Sequence, residues 1–296
     1  MDIQHIRYFL EVAKCQSFSG AARQLYVTQP ILTRCVKNLE KELGVQLIQR
    51  STKQFALTDA GHLLVESGTA LLQQYSDIYR QMEDMACGQA GEVRISSPGT
   101  LLDMYFPELV NRYRKAHPGV HITIRESGTR TVVREVLDGT ADMGLVMLPL
   151  ERTDRLEILP MVQDEVHVLL RRDHPFAGQP HIHISQLKGQ DIITYDQSNT
   201  LHHTFVNLCR EHGFAPSIAY QSMMPGFILD TLSFGNCVGV FPAPMLRQSP
   251  RPELVSIPLR PHFPWQIAII TKTGRYISKA TESFLAFTRD FFPKQN

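Results

Sequence analysis

Between Gln29 and Lys37, the residues Gln29, Pro30, Thr33, Arg34 and Lys37 recur at spacings of three and four. On an α-helix that spacing gathers them on one side. A glutamine amide can pair with the adenine edge, an arginine fork with guanine, and the apolar parts of threonine and proline with a thymine methyl. Lys37 suits phosphate. The chemistry such a face could do is reading the DNA major groove, although an isolated polar helix face more often meets only water.

The elements around it must present that face. Leu32, Cys35, Val36, Leu39 and Leu43 repeat as i, i+3, i+4, i+7 on the opposite side and are expected to pack inward, with Thr28 capping the helix and Gly44 ending it. Ile3, Ile6, Phe9, Leu10 and Ala13 describe an earlier amphipathic helix, and Ser19 is the expected cap of a short second one carrying Ala21, Ala22 and Leu25. Val45 to Thr58 has apolar runs around a basic centre and reads as a two-stranded hairpin. After a helix-turn-helix, that hairpin is a wing whose Arg50, Ser51 and Lys53 could reach backbone or minor groove.

Charge distribution agrees. The chain has 296 residues and a formal net charge of only +1, with 43% hydrophobic and 20% charged residues, as in an ordinary globular protein of two or three domains. Through Thr58, however, eight basic residues stand against four acidic ones, whereas Asp59 to Ala90 holds one base and five acids. There is no basic-then-apolar leader after Met1 and no long apolar run, so a cytoplasmic protein without a membrane partner is expected. The five cysteines, Cys15, Cys35, Cys87, Cys209 and Cys237, form no C-x-x-C pair and read as reduced thiols.

Residues 1–61 resemble the winged helix-turn-helix of the LysR-type transcriptional regulators, with the carrying positions between Phe9 and Gly61. The Ser-Phe, Ala-Ala, Thr-Gln-Pro, Leu-Glu, Leu-Gly, Arg and Leu-Thr-x-Ala-Gly positions carry the likeness; Thr33 stands where serine is usual and Ile48 where phenylalanine is. The resemblance implies base reading by Gln29, Pro30, Thr33 and Arg34 and wing contacts by Arg50 and Ser51. It also implies an antiparallel linker-helix dimer and a dimer-of-dimers tetramer on an interrupted palindrome.

A helix of about 29 residues from Thr58 to about Ala86 would span about 43 Å. Leu64, Leu71, Ile78 and Met85 fall seven apart, with Gly61, Gly68, Tyr75 and Met82 between them, which is a coiled-coil seam. Leu64, Leu71, Tyr75, Ile78 and Met82 are its candidate dimerisation residues, and the glycines would let a partner helix approach closely.

After a break at Cys87 to Val93, strand and helix patterns alternate, which argues for βαβ units and a mostly parallel sheet. The expected fold class is α + α/β: winged helix-turn-helix over 1–58, linker helix over 59–88, and a two-lobed effector domain over 89–296. That domain resembles type-two periplasmic binding proteins. Lobe I takes about 91–161 and 267–296, lobe II about 162–266, with crossovers near Pro160–Asp164 and Phe263–Gln266 and "DEVHVLLRR" read as a strand of its own.

Ligands of such sheets bind beyond the carboxyl ends of strands, near helix N-termini. The candidates are Ser96, Ser97, Thr100, Thr129, Arg130, Leu148 and Pro149 in lobe I, and Ser198, Asn199, Thr200, Met223, Met224, Pro225 and Gly226 in lobe II. Hydroxyls and dipole ends suit a small anion such as a carboxylate. Taken singly, any of them could equally be a cap or turn.

No nucleophile–base pair or metal set stands out, so no catalytic residue, metal or cofactor is expected. His181 and His183 would share a strand face, with His174, His202, His203 and His212 nearby, but two ligands do not make a zinc site. The main reading is a non-enzymatic regulator controlled by a small molecule. Its partners would be double-stranded DNA, the effector, further copies of the chain and, as a candidate, RNA polymerase. A thiol sensor using Cys209 or Cys237, a metal sensor, and a solute-binding protein remain as alternatives.

Overall fold

The computed structural model describes residues 2–49, 55–87, 91–150 and 154–292. The chain divides into two compact units, Met1–Ala86 and Cys87–Asn296.

The first unit contains α1 (Ile3–Cys15), α2 (Phe18–Gln24), α3 (Gln29–Leu43) and α4 (Asp59–Cys87). Asp2 caps α1, its carboxylate accepting from Gln4 N at 2.9 Å. Ser17, not Ser19, caps α2: its backbone is extended and its hydroxyl accepts from Gly20 N at 3.1 Å, whereas Ser19 is already inside the first turn. Ile6, Phe9, Val36, Leu39 and Leu47 form one buried cluster and Val12, Ala21, Ala22 and Leu32 another. The two alanines lie where α2 meets its neighbours, small enough to let helices close up. Leu43 departs from the expected core: it is 40% exposed, closing α3 just before Gly44 turns the chain away at a φ of +72°. Thr28 occupies the α3 cap position without a side-chain bond.

The wing begins and ends in described residues. Ile48 pairs antiparallel with Leu57, Gln49 N donates to Ala56 O at 2.9 Å, and the Glu40 carboxylate ties the first arm to α3 by accepting from Leu47 N at 2.9 Å. Thr58 then caps α4, accepting from Gly61 N at 3.0 Å while donating to Gln46 O at 2.6 Å. The α4 glycines serve this unit itself, contrary to the expected role at a partner helix. A Cβ on Gly61 would meet Leu47 O at 2.2 Å, and one on Gly68 would meet Ile6 Cγ2 at 2.9 Å. Leu64 likewise packs, with Val65 and Leu72, on the winged-helix core and is not free for a seam.

The second unit runs β1 (Gly91–Ser97), α5 (Gly99–Ala116), β2 (Val120–Glu126), α6 (Thr129–Leu137), β3 (Met143–Leu148), β4 (Leu156–Arg171) and β5 (Ile182–His183), then a 3-10 turn (Ile184–Leu187). It continues with β6 (Asp191–Thr194), α7 (Thr200–Glu211), β7 (Ser217–Gln221), α8 (Pro225–Phe234), β8 (Val238–Pro242), α9 (Pro244–Gln248), β9 (Leu254–Arg260), β10 (Pro264–Lys272) and α10 (Lys279–Phe291). Strand order is β2-β1-β3-β10-β4-β8-β6-β7, with β9 also on β4 and β5 on β9.

Each lobe is built on three parallel strands, β2-β1-β3 in one and β7-β6-β8 in the other; β4 and β10 enter antiparallel. The "DEVHVLLRR" stretch is not a separate strand. It is the second part of β4, which runs unbroken through both lobes, Leu156 to Glu165 pairing with β10 and Val166 to Arg171 with β8 and β9. Pro160 is tolerated because it faces Ala268 beside a register shift that leaves Met161 of β4 unpaired, where one missing donor costs the ladder little. The expected strand carrying His181 and His183 shrinks to β5, since His183 already caps the 3-10 turn, its backbone N donating to Gln186 Oε1 at 2.8 Å.

Candidate nucleic-acid interface and effector site

On α3, Gln29, Pro30, Thr33, Arg34 and Lys37 line a single shallow concavity together with Asn38, which the sequence reading omitted. The buried Leu32, Cys35, Val36 and Leu39 on the reverse side fix the rotation of the helix, so these polar residues have nowhere to turn but outward. Arg34 and Lys37 form no ion pair or hydrogen bond among the described residues. Thr33 Oγ1 donates to Gln29 O at 3.1 Å, which leaves its methyl as the outward group. Tyr26, in the turn before α3, is 96% exposed at a φ of +54°, which helical periodicity could not flag. Arg50, Ser51 and Lys53 lie outside the described residues.

Along α4 the exposed apolar residues are Leu63, Leu71, Ile78, Tyr79, Met82 and Met85, the last 78% exposed. Tyr75 is half-buried, and its hydroxyl lies 3.0 Å from that of Tyr79.

In the second unit the expected effector residues separate into two kinds. Several are committed to local structure. Ser96 Oγ donates to Glu135 Oε2 at 2.6 Å, Ser97 Oγ to Pro98 O at 3.0 Å, and Ser198 Oγ to Asp196 Oδ1 at 2.5 Å, while Asn199 caps α7 by accepting from Leu201 N at 2.9 Å. Ser96, expected among the effector residues, is thus already bonded to α6. Glu135 also accepts from Arg125 at 3.1 Å and Ser127 at 3.3 Å. Burial pushes its carboxyl up, but the bonds from Ser96 and Arg125, the Arg125 charge and the Ser127 bond outweigh that and hold it below the ordinary range. Arg130 and Met224 are exposed at the starts of α6 and α8, Thr129 and Thr200 are half-buried first residues of α6 and α7, and Pro149 and Pro225 follow β3 and open α8.

The other kind is buried and unbonded. Thr100, in the first turn of α5, keeps a hydroxyl without a hydrogen-bond partner among the described residues, and so does Thr194, the last residue of β6. Their positions correspond: β1 and β6 are the middle strands of the three parallel strands in their respective lobes, and each threonine stands at or just past the carboxyl end of its strand. The buried Tyr195 hydroxyl completes this set, while the Tyr105 hydroxyl and the Trp265 indole N–H, also buried, lie close enough to interact with each other. Burial pushes the Tyr105 hydroxyl up to about 12 and Tyr195 higher still, so both are neutral donors. Thr194 and Tyr195 were missed because "DIITY" reads as an apolar strand; a lone hydroxyl at its end was the signal available.

The lobes are pinned near this set. Arg247 on α9 pairs with Asp164 on β4, and the Gln248 amide donates to Met104 O on α5. Close by on β4, Glu165 accepts from Arg260 Nη1 at 2.9 Å and lies 3.2 Å from His167 Nε2, while His167 Nδ1 lies 2.8 Å from Ser256 Oγ.

The alternative sensors find less. No group of three or more metal-ligating side chains occurs among the described residues. Cys209 and Cys237 are buried; burial pushes the first thiol up to about 12, and burial foremost raises the second. His202 is buried too, 3.0 Å from Tyr195 O, and burial lowers its proton affinity. No described helix is long and apolar enough to cross a membrane.

Two family profiles match the chain, "Bacterial regulatory helix-turn-helix protein, lysR family" over residues 3–62 and "LysR substrate binding domain" over residues 87–293. The chain is 31% identical to the uncharacterized HTH-type transcriptional regulator YwbI of Bacillus subtilis, over all of this chain and 99% of that one. A full-length variant of OxyR from Pseudomonas aeruginosa superposes with a TM-score of 0.73 at 22% identity, over all of this chain and 98% of that one. Full-length CbnR complexed with its target DNA gives 0.62 at 20% identity over 98% and 99%. With a helix-turn-helix in one unit, a two-lobed α/β fold in the other and profile matches across both, this chain belongs to the LysR family of DNA-binding transcriptional regulators.

Proposed function

We propose that the protein reads a two-fold DNA site with paired α3 helices and that a small anionic metabolite, held between the two lobes of the second unit, controls its activity. Gln29, Pro30, Thr33, Arg34 and Lys37 would meet the major groove, and Arg50, Ser51 and Lys53 the backbone or minor groove. The stripe of exposed Leu71, Ile78 and Met82 with half-buried Tyr75 on α4 would pair with a second copy, supplying the two half-sites; two such dimers would make a tetramer. Acting on chromosomal DNA, the protein would work in the cytoplasm and would need no chemical step of its own.

The observation that carries the effector reading is the matched pair of unbonded buried hydroxyls, Thr100 and Thr194, one per lobe. A buried hydroxyl without a partner costs roughly 1–3 kcal/mol, and a ligand spanning the lobes would recover that from both sides at once. Helix N-termini of α5 and α7 stand nearby and favour negative charge. Burial of both second-unit thiols supports this reading over oxidation of Cys209 or Cys237.

The test is a thermal-shift titration of the full chain against small carboxylates, amino acids and sugars. A ligand that binds the folded state raises the melting temperature by mass action. The expected result is a carboxylate hit that disappears in Thr100→Ala and Thr194→Ala; a hit that survives both substitutions places the ligand elsewhere.

A further inference from the structure

The side-chain oxygen of Gln29 is already in use. Ser19, on α2, donates its hydroxyl proton to Gln29 Oε1 at 2.9 Å, bridging the first turns of the two helices of the helix-turn-helix. From the other side Thr33 donates to the Gln29 backbone carbonyl at 3.1 Å. The residue at the tip of the reading helix is therefore held at its backbone by its own helix and at its amide by the neighbouring one.

An amide is planar, with its oxygen and nitrogen on opposite branches of one carbon. Holding the oxygen against α2 leaves the nitrogen, with two donors, as the outward end. A free glutamine presents a donor and an acceptor together and matches the adenine edge, which offers N6–H2 and N7. A glutamine whose oxygen is turned toward α2 presents its donors first, with one of the two oxygen lone pairs already engaged. Donors match edges made of acceptors: O6 and N7 of guanine, or O4 of thymine.

We infer that Ser19 is a specificity-determining positioning residue, which fixes Gln29 as a donor-first reader favouring guanine or thymine and weakens its pairing with adenine, whose N7 can accept but whose N6–H2 is left without an acceptor. Ser19 itself need touch no base. It acts through Gln29, and its hydroxyl is replaceable by that of threonine. This inference rests on the reading of α3 as the DNA face.

The experiment is binding-site selection by the full-length protein from a pool of random duplexes, followed by competition at fixed salt between duplexes that differ at the step whose preference vanishes in Gln29→Ala. Wild type is expected to enrich guanine or thymine there. Ser19→Ala should cut discrimination against adenine about tenfold, within what one well-placed contact contributes, while melting temperature and affinity for unrelated duplex stay unchanged. Ser19→Thr should keep the wild-type preference, and Ser19→Ala added to Gln29→Ala should change nothing further.

Unchanged discrimination in Ser19→Ala overturns the inference. So does a loss that persists at full size in the Gln29→Ala background, which would mark a direct phosphate contact by Ser19. A wild-type protein that enriches no sequence at all overturns the DNA-reading face itself, a separable failure.

Discussion

Glu165 Oε1 lies 3.2 Å from His167 Nε2, and the other oxygen of the same carboxylate accepts from Arg260 at 2.9 Å. Burial raises this carboxyl, but the bonds from Arg260 and His167 and their charges prevail and hold it below its ordinary value of 4.5. A carboxyl depressed on folding contributes stability that is fully present above its unfolded value and lost as pH falls through its lower folded value. Because the site is partly exposed, about 1 kcal/mol is a sensible scale after solvent screening. Glu165→Gln should lower the melting temperature at pH 7 and leave it unchanged once the wild-type carboxyl is protonated, well below pH 4.5. Paired thermal melts across roughly pH 3 to 8 check this; an equal deficit at every pH rules the charge out.

Gly61→Ala is expected to cripple the first unit. The added methyl would sit 2.2 Å from Leu47 O, a backbone atom of the wing that cannot swing aside. A loss of roughly 2–3 kcal/mol follows from overpacking of this kind. Gly68→Ala, facing the more yielding Ile6 side chain at 2.9 Å, should cost less. Denaturant unfolding of the two variants ranks them; a reversed order would mean that α4 relaxes away from the wing.

Ile78→Glu should weaken self-association by at least about tenfold, because it places a charge in an apolar stripe exposed on the single chain. Leu64→Ala is the contrast. Its side chain packs on the winged-helix core, so it should lower stability without changing the association constant. Sedimentation equilibrium with parallel melts separates the two, and an oligomer undisturbed by Ile78→Glu removes α4 from the interface.

Arg34→Ala should reduce affinity for the selected duplex by roughly 5- to 150-fold, the range of one bidentate base contact, with less effect on unrelated duplex. Lys37→Ala should weaken both nearly equally and flatten the salt dependence by about one phosphate contact. Equal losses on both duplexes for Arg34→Ala would reassign it to the backbone.

The first unit was largely legible in sequence because helical periodicity decides which side of α3 is buried, and Leu32, Cys35, Val36 and Leu39 obeyed it. Leu43 failed because periodicity carries no information on where neighbouring helices stop. Leu64 and the α4 glycines failed for a related reason: a seven-residue repeat says that a stripe will be covered but not by what, and the first part of α4 is covered by its own α1 and wing. In the second unit the alternation of strands and helices was plain, whereas the unbroken β4 was hidden by Pro160, a residue that argues against strand everywhere except beside an irregularity. The buried hydroxyl of Thr194 could not be distinguished from a strand residue with a bonded one, since burial without a partner is a property of three-dimensional packing alone.

The continuity of β4 has a mechanical consequence. Because one strand is laddered to β10 in the first lobe and to β8 and β9 in the second, the lobes cannot slide past each other without tearing hydrogen bonds from one sheet or the other. The deformation that keeps both ladders intact is a twist of β4 and β10 about their common axis near Asp164 and Trp265. Under the proposed function, a molecule gripped between the lobes would act as a torque on a short bar, and its signal would leave the second unit as an angle, not a displacement.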